Sequence, residues 1–142
     1  MILDRSAKSL VVAGAWLFLL GLLQGVAVSM FANPRMGLSA HLTAVQSGTA
    51  LMVLGAVWSI AVWPEKVEML SFWTTLVGTY GLWLGLTLAA ATGASEALPM
   101  AGKGFSASQT IELGVSGVVM ISGGLMIVGW LLFLIGAIRS KK

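Results

Sequence analysis

The chain has 142 residues, of which 58% are hydrophobic and only 9% are charged. A typical soluble domain has about 25% charged residues, so this composition excludes an ordinary cytosolic fold. The net charge is +3, and the basic residues form no polar cluster that would follow a phosphate backbone, so we expect no nucleic-acid partner. The chain contains no cysteine, which excludes disulfides, zinc ribbons and iron–sulfur clusters.

Four apolar runs are each long enough to cross a bilayer core, which takes about 20 residues. We place them at residues 10–31, 41–63, 69–92 and 110–138. The predicted fold is therefore all-α, an integral membrane four-helix bundle that forms a single domain over residues 1–142. The first run is too long for a typical signal peptide and is followed by a poor cleavage site, so we interpret it as a retained span.

Basic residues are unevenly divided between the two ends of these spans. If both termini lie on one side, that side holds Arg5, Lys8, Lys66, Arg139, Lys141 and Lys142. The other side holds only Arg35 and Lys103. Because basic residues in short loops favour the cytoplasmic side, we expect cytoplasmic termini. The beginning of the second span and the long loop over residues 93–109 then lie on the outer side.

Glycines at helical spacing in the first span predict close helix packing. Gly14, Gly21 and Gly25 lie near one helical face, and the last two enclose a small-xxx-small contact surface.

His41 is the only histidine and lies where the second apolar run begins. An ionisable group at the edge of a membrane span indicates a functional site, because burying it in hydrocarbon is costly. One histidine does not build a zinc site, which needs three or four protein ligands. It does suffice as an axial ligand of haem, in which the porphyrin supplies the equatorial ligands.

Helical spacing places small residues beside His41. Ala44 and Gly48 share its face, so a flat macrocycle could lie against them next to the imidazole. The alternative is a histidine that is hydrogen-bonded at the interface, with the glycine used for packing. Gln46 and Ser47 point away from this face, towards a neighbouring helix, another subunit or local backbone groups.

Two other polar side chains lie within the predicted spans. Tyr80 is the only tyrosine and lies in the middle of the third span, where its hydroxyl needs a hydrogen-bond partner. Glu112, near the outer end of the fourth span, is either a solvated interfacial carboxylate or a group that handles protons.

The segment at 31–42, FANPRMGLSAHL, closely resembles the signature of the hydroxylaminobenzene mutases, which are related to the styrene oxide isomerases. The third span and the loop after it, with VGTY at 77–80 and LPMAG at 98–102, are also similar to that family. The similarity covers most of the chain. The family consists of small four-helix membrane proteins, so the resemblance implies an integral protein of the bacterial inner membrane with membrane lipid around it.

The resemblance further implies haem b bound between the protomers of a homotrimer. It makes His41 the axial iron ligand and Tyr80 a residue that faces a small aromatic substrate. The implied chemistry uses ferric haem as a Lewis acid without net redox, and it converts an arylhydroxylamine into a 2-aminophenol. Tyr80, Ser47 and Gln46 are then the candidate catalytic residues. The cofactor-binding candidates are His41, Ala44, Gly48 and Arg35, whose guanidinium would pair with a haem propionate.

This chain has Ser47 and Leu82 where the family usually has asparagine, which leaves the substrate open. One alternative is an aryl epoxide isomerase of the styrene oxide isomerase type. Another is a non-catalytic haem protein for electron transfer, with Met36 or Met52 as a second axial ligand. A haem-free transporter or assembly protein is the third, but it gives no role to the signature.

Overall fold

The structure of the protein is a computed structural model that describes residues 5–139. It contains four long helices and one short helix: α1 (Arg5–Val26), α2 (Pro34–Ala56), α3 (Glu65–Thr92), α4 (Pro99–Gly102) and α5 (Gln109–Arg139). Single 3-10 turns follow α1 and α2 at Val28–Met30 and Trp58–Ile60. The described residues contain no β-strand, which confirms the all-α prediction.

The long helices form two antiparallel hairpins. One hairpin pairs α1 with α2, the other pairs α3 with α5, and the two meet mainly where α2 packs on α3. Glycines bring the helix backbones of the first hairpin together. A Cβ atom added to Gly48 would lie 2.6 Å from the backbone nitrogen of Phe18 and 2.7 Å from the carbonyl oxygen of Gly14. The small residues of α1 therefore act as the helix-packing surface that their spacing predicts.

Three helices, α1, α3 and α5, are long and apolar enough to cross a membrane, judged by length and composition. Helix α2 is long enough but falls short in hydropathy, because polar residues recur between residues 39 and 49. These are Ser39, His41, Thr43, Gln46, Ser47 and Thr49. The four-span bundle therefore stays a prediction, as do the homotrimer and the orientation. Asp4, Lys141 and Lys142 lie outside the described residues.

The helix boundaries differ from the predicted spans in the first hairpin. Helix α1 covers residues 5–26 and α2 covers residues 34–56, whereas we expected spans at 10–31 and 41–63. The correction has a local cause at α2. Asn33 caps the helix and Pro34 occupies its first turn, so His41 lies in the third turn instead of at the beginning. Helices α3 and α5 end within one residue of the expected positions at 92 and 138, but α3 begins at Glu65, before the expected position at 69.

Candidate functional site

Asn33 joins three elements at the end of the bundle where α2 begins. Its side chain is fully buried, and Oδ1 accepts a hydrogen bond from the backbone N–H of Met36 at 3.2 Å, which caps α2. Its Nδ2 donates to the carbonyl of Ala101 in α4 at 3.0 Å. Its backbone N–H donates to the carbonyl of Ala90 in α3 at 3.0 Å. The first part of the NPRMGLSAH segment therefore has a structural role, since it fixes where α2 begins.

His41 is half-buried and contacts α1 directly. Its Nδ1 lies 2.7 Å from the carbonyl oxygen of Gly21. A carbonyl only accepts hydrogen bonds, so Nδ1 carries a proton and donates it, and in the neutral form of the ring the lone pair is then on Nε2. No group within residues 5–139 forms a hydrogen bond with Nε2. The nitrogen that can bind a ligand is therefore free.

Gly25 gives the imidazole its space on α1. A Cβ atom added to Gly25 would lie 2.8 Å from Nδ1 and Cε1 of His41 and 3.3 Å from its Nε2. The ring thus packs directly against the backbone of α1 between Gly21 and Gly25, in a notch that the absence of a side chain at Gly25 leaves open. The two glycines have different roles, since Gly21 supplies the hydrogen-bond acceptor and Gly25 supplies the room.

This arrangement fits an axial haem ligand. Histidines that bind a metal almost always donate their other ring N–H to a carbonyl, carboxylate or water, which fixes the tautomer and makes the ligand more basic. His41 meets that requirement through Gly21. Within residues 5–139 there is no group of three His, Cys, Asp or Glu residues that would hold a metal ion. A metal bound at His41 would therefore need further ligands from elsewhere, as a porphyrin supplies.

We expected that a flat macrocycle could lie against Ala44 and Gly48, but within this chain helix α1 occupies that surface. Both residues are buried, and α1 covers them. A Cβ atom added to Gly21 would lie 2.8 Å from the Cβ of Ala44, and Gly48 contacts the backbone of α1 at Gly14 and Phe18. The face that carries these small residues is used for helix packing, which was the alternative interpretation.

Gln46 and Ser47 lie on other sides of α2. Gln46 is exposed and Ser47 is half-buried, and neither side chain forms a hydrogen bond with another described residue. They follow His41 by five and six residues, which corresponds to about 8–9 Å along the helix axis. Both keep their full hydrogen-bonding capacity for a ligand or for another chain.

Tyr80 bonds to α1 at a different height from His41. Its half-buried hydroxyl donates to the carbonyl of Ala13 at 2.7 Å, beside an open cleft of about 550 Å³ that Lys8 and Trp16 also line. The carbonyls of Ala13 and Gly21 are eight residues apart, about 12 Å along a helix. Within one chain, the structure does not bring Tyr80 and His41 together.

Arg35 is exposed and contacts the loop between α3 and α5. Its guanidinium donates to the carbonyl of Lys103, and its Cζ lies 5.9 Å from the centre of the Phe105 ring. Arg35 precedes His41 by six residues on α2, about 9 Å along the axis. The guanidinium has five N–H donors, so this contact leaves others for an anionic group.

Glu112 is the anchor of that loop, a role the sequence analysis missed. Its side chain is only 4% exposed, although it belongs to the first turn of α5. The carboxylate accepts hydrogen bonds from the backbone N–H groups of Ser95, Glu96 and Ala107, at 3.0–3.1 Å. These amides belong to both ends of the loop, so the Glu112 side chain holds the two ends of the loop together. It is neither a solvated carboxylate nor free to handle protons.

Gln24 is a second group whose role the sequence analysis missed. Its side chain is 8% exposed and forms hydrogen bonds with two residues of α3. Its Oε1 accepts from the indole Nε1 of Trp83 at 2.7 Å, and its Nε2 donates to the hydroxyl of Thr87 at 3.0 Å. An amide in an otherwise apolar helix was the available signal, because a buried amide needs partners.

The sequence profile of a family described as styrene oxide isomerase matches residues 6–138. Two similar proteins come from Ectopseudomonas oleovorans. Hydroxylaminobenzene mutase HabA is 41% identical over 86 residues, which cover 61% of this chain and 64% of the relative. Hydroxylaminobenzene mutase HabB is 38% identical over 107 residues, which cover 75% of this chain and 65% of the relative. The chain thus spans slightly less than two thirds of either relative. No solved structure is significantly similar to it.

Proposed function

Because the chain belongs to the styrene oxide isomerase family, we propose that it is a membrane isomerase that depends on haem b. Its reaction resembles that of a hydroxylaminobenzene mutase, in which an arylhydroxylamine is rearranged to a 2-aminophenol without net redox. The names of both similar proteins support this choice of substrate class. The family name supports a second candidate, the isomerisation of an aryl epoxide.

The observation that carries the proposal is the state of His41. Its Nδ1–H donates to the carbonyl of Gly21, and its Nε2 forms no hydrogen bond with any described residue. Haem bound through that nitrogen would supply a Lewis-acidic iron that polarises an N–O or C–O bond. Arg35 supports the same assignment, because its remaining N–H donors lie at the exposed beginning of α2, where they can pair with a carboxylate.

Helix α1 fixes the orientation of the imidazole. The carbonyl of Gly21 accepts a hydrogen bond from Nδ1–H, so Nε2 is the nitrogen left for a bond to a metal. The close approach of Gly25 limits rotation of the ring. The contribution of the protein at this point is therefore ligand orientation and basicity.

The other candidate residues support a site that is shared between copies. Gln46 and Ser47 offer unused polar groups at the surface of α2. The hydroxyl of Tyr80 retains lone pairs beside an open cleft, although its proton is donated to Ala13. Tyr80 and His41 contact α1 about 12 Å apart, and a homotrimer would allow Tyr80 of one copy to serve the imidazole of another.

The structure gives little support to the electron-transfer alternative. Met36 is fully buried among Ala89, Ala90 and their neighbours, so its sulfur is used in packing. Met52 follows His41 by eleven residues on the same helix, about 16 Å along the axis, and packs against Gly14. Neither methionine can therefore oppose His41 across an iron within one chain.

We further propose that α2 is the fourth span and that the protein lies in the bacterial inner membrane with cytoplasmic termini. A helix of 23 residues is about 35 Å long, enough for a hydrocarbon core of about 30 Å. The packing of α2 against α1 supports this placement, since it removes one face of α2 from lipid.

The decisive experiment purifies wild-type protein and His41→Ala in detergent after expression with a haem supply. We expect wild-type protein to carry haem b and His41→Ala to be colourless. Ser39→Ala is the matched control, because the Ser39 hydroxyl bonds only to the carbonyl of Arg35 in its own helix, and this variant should stay coloured.

The activity test gives wild-type protein an arylhydroxylamine, and in parallel an aryl epoxide, with no reductant. Release of the 2-aminophenol is expected without consumption of NADH or oxygen. A His41→Ala protein that is fully loaded with haem would refute the ligand assignment. Loaded wild-type protein that leaves both substrates unchanged would refute the isomerase.

A further inference from the structure

The amide of Gln24 forms a closed hydrogen-bonded link between α1 and α3. Trp83 donates to its Oε1, and its Nε2 donates to the hydroxyl of Thr87. The hydroxyl in turn donates to the carbonyl of Trp83 at 2.8 Å. An indole N–H is only a donor, so the amide has one orientation that satisfies Trp83. Gln24, Trp83 and Thr87 are called the amide bridge below.

The amide bridge holds the same turn of α1 that holds the imidazole. Gln24 lies between Gly21 and Gly25, which form the notch for His41, and these five residues rise only about 6 Å along the helix. Around the helix, the side chain of Gln24 is about 60–100° from the two glycines. Helix α3 therefore holds this turn from one side while the imidazole on α2 contacts it from another.

Few hydrogen bonds connect α1 to α3 within the described residues. Outside the amide bridge, the bond from Tyr80 to Ala13 joins the two helices, and Ala13 precedes Gln24 by eleven residues, about 16 Å. Gln24 therefore supplies the hydrogen bonds from α3 to this turn of α1, and they add to the packing of α1 on α2 in fixing its rotation. A change in that rotation moves the carbonyl of Gly21 relative to Nδ1 and weakens their hydrogen bond, which requires good alignment.

We propose that Gln24 is a positioning residue for His41, and that the amide bridge keeps the Gly21 carbonyl aligned with Nδ1–H. The inference rests on the proposed function, because it concerns the strength of His41 as an iron ligand. A strong Nδ1–H bond makes the imidazole a more basic ligand, and a basic ligand stabilises the ferric state. Loss of the amide bridge should therefore weaken the iron–histidine bond and raise the midpoint potential.

The test compares three haem-loaded variants with wild-type protein. Gln24→Met keeps the length of the side chain and removes both hydrogen bonds. Thr87→Val keeps the volume of the side chain and removes one of the two bonds of Gln24, together with the bond from the hydroxyl to the Trp83 carbonyl, and it serves if Gln24→Met does not fold. Ser71→Ala is the control, because it removes another buried bond between helices, from the Ser71 hydroxyl to the carbonyl of Gly129 at 2.9 Å. That bond lies on the α5 side of α3, away from the imidazole.

The readouts are the iron–histidine stretching frequency of the ferrous protein, measured by resonance Raman, and the midpoint potential. We expect Gln24→Met, and to a smaller extent Thr87→Val, to lower the frequency and raise the potential. Ser71→Ala should lower the stability of the protein and leave the stretching frequency and the midpoint potential unchanged. Loaded variants of Gln24 and Thr87 that match wild-type protein in both readouts would overturn the positioning role and leave the proposed function standing. Wild-type protein that binds no haem would overturn both.

Discussion

Gly48→Ala tests whether the α1–α2 hairpin is held by direct contact between backbones. The added Cβ would lie 2.6 Å from the backbone nitrogen of Phe18 and 2.7 Å from the carbonyl oxygen of Gly14. Non-bonded heavy atoms attract best at about 3.5–4.0 Å, so the helices would have to separate by roughly 1 Å. No side chain can rotate to relieve this contact, because both atoms belong to the main chain.

The size of the effect follows from a matched substitution. Gly114→Ala also places a methyl group on a helix, in α5, where no described atom lies within 4 Å of the new Cβ. Both substitutions gain about 1 kcal/mol of helix propensity, so that gain cancels in the comparison. Overpacking at a tight contact costs about 1–3 kcal/mol. We expect Gly48→Ala to be less stable than Gly114→Ala by that amount.

The assay is reversible unfolding of both variants in the same detergent, followed by far-ultraviolet circular dichroism. Gly114→Ala should equal or exceed wild-type stability, and Gly48→Ala should fall below Gly114→Ala. If Gly48→Ala is at least as stable as Gly114→Ala, the two helices do not pack through their backbones at this point, and the description of the hairpin is wrong.

Three further predictions concern the outer loop and the orientation. Asn33→Ala should destabilise the protein by about 1–3 kcal/mol in the same unfolding assay, because it removes a helix cap and leaves the half-buried carbonyl of Ala101 without its donor. Glu112→Gln should expose the loop over residues 93–108 to limited proteolysis, since an amide offers one acceptor oxygen to backbone donors that now bind two; unchanged cleavage rates would contradict its anchoring role. A reporter fused after Lys142 should behave as cytoplasmic and one inserted at Ser95 as extracytoplasmic, and the opposite pattern would reverse the orientation.

The sequence by itself determined the fold class, the limits of α5, the end of α3 and the choice of His41 as the candidate site residue. Long apolar runs need helices because membrane lipid offers no partners for backbone polar groups, so the all-α prediction followed from composition. Helices α3 and α5 could be placed to within a residue at the ends that turn signals mark, as Gly93 does for α3. His41 could be selected as a candidate because it is the only histidine and lies in an apolar part of the chain.

The tertiary structure decided what each of these residues contacts. Helical periodicity put Ala44 and Gly48 on the face of His41, but it could not show that α1 occupies that face. The proton on Nδ1 depends on a carbonyl twenty residues away in sequence, at Gly21. Glu112 depends in the same way on backbone amides at the far end of a loop. Hydrogen bonds act over about 3 Å in space, so a pattern along the chain shows which groups need partners, and the fold determines which partners they find.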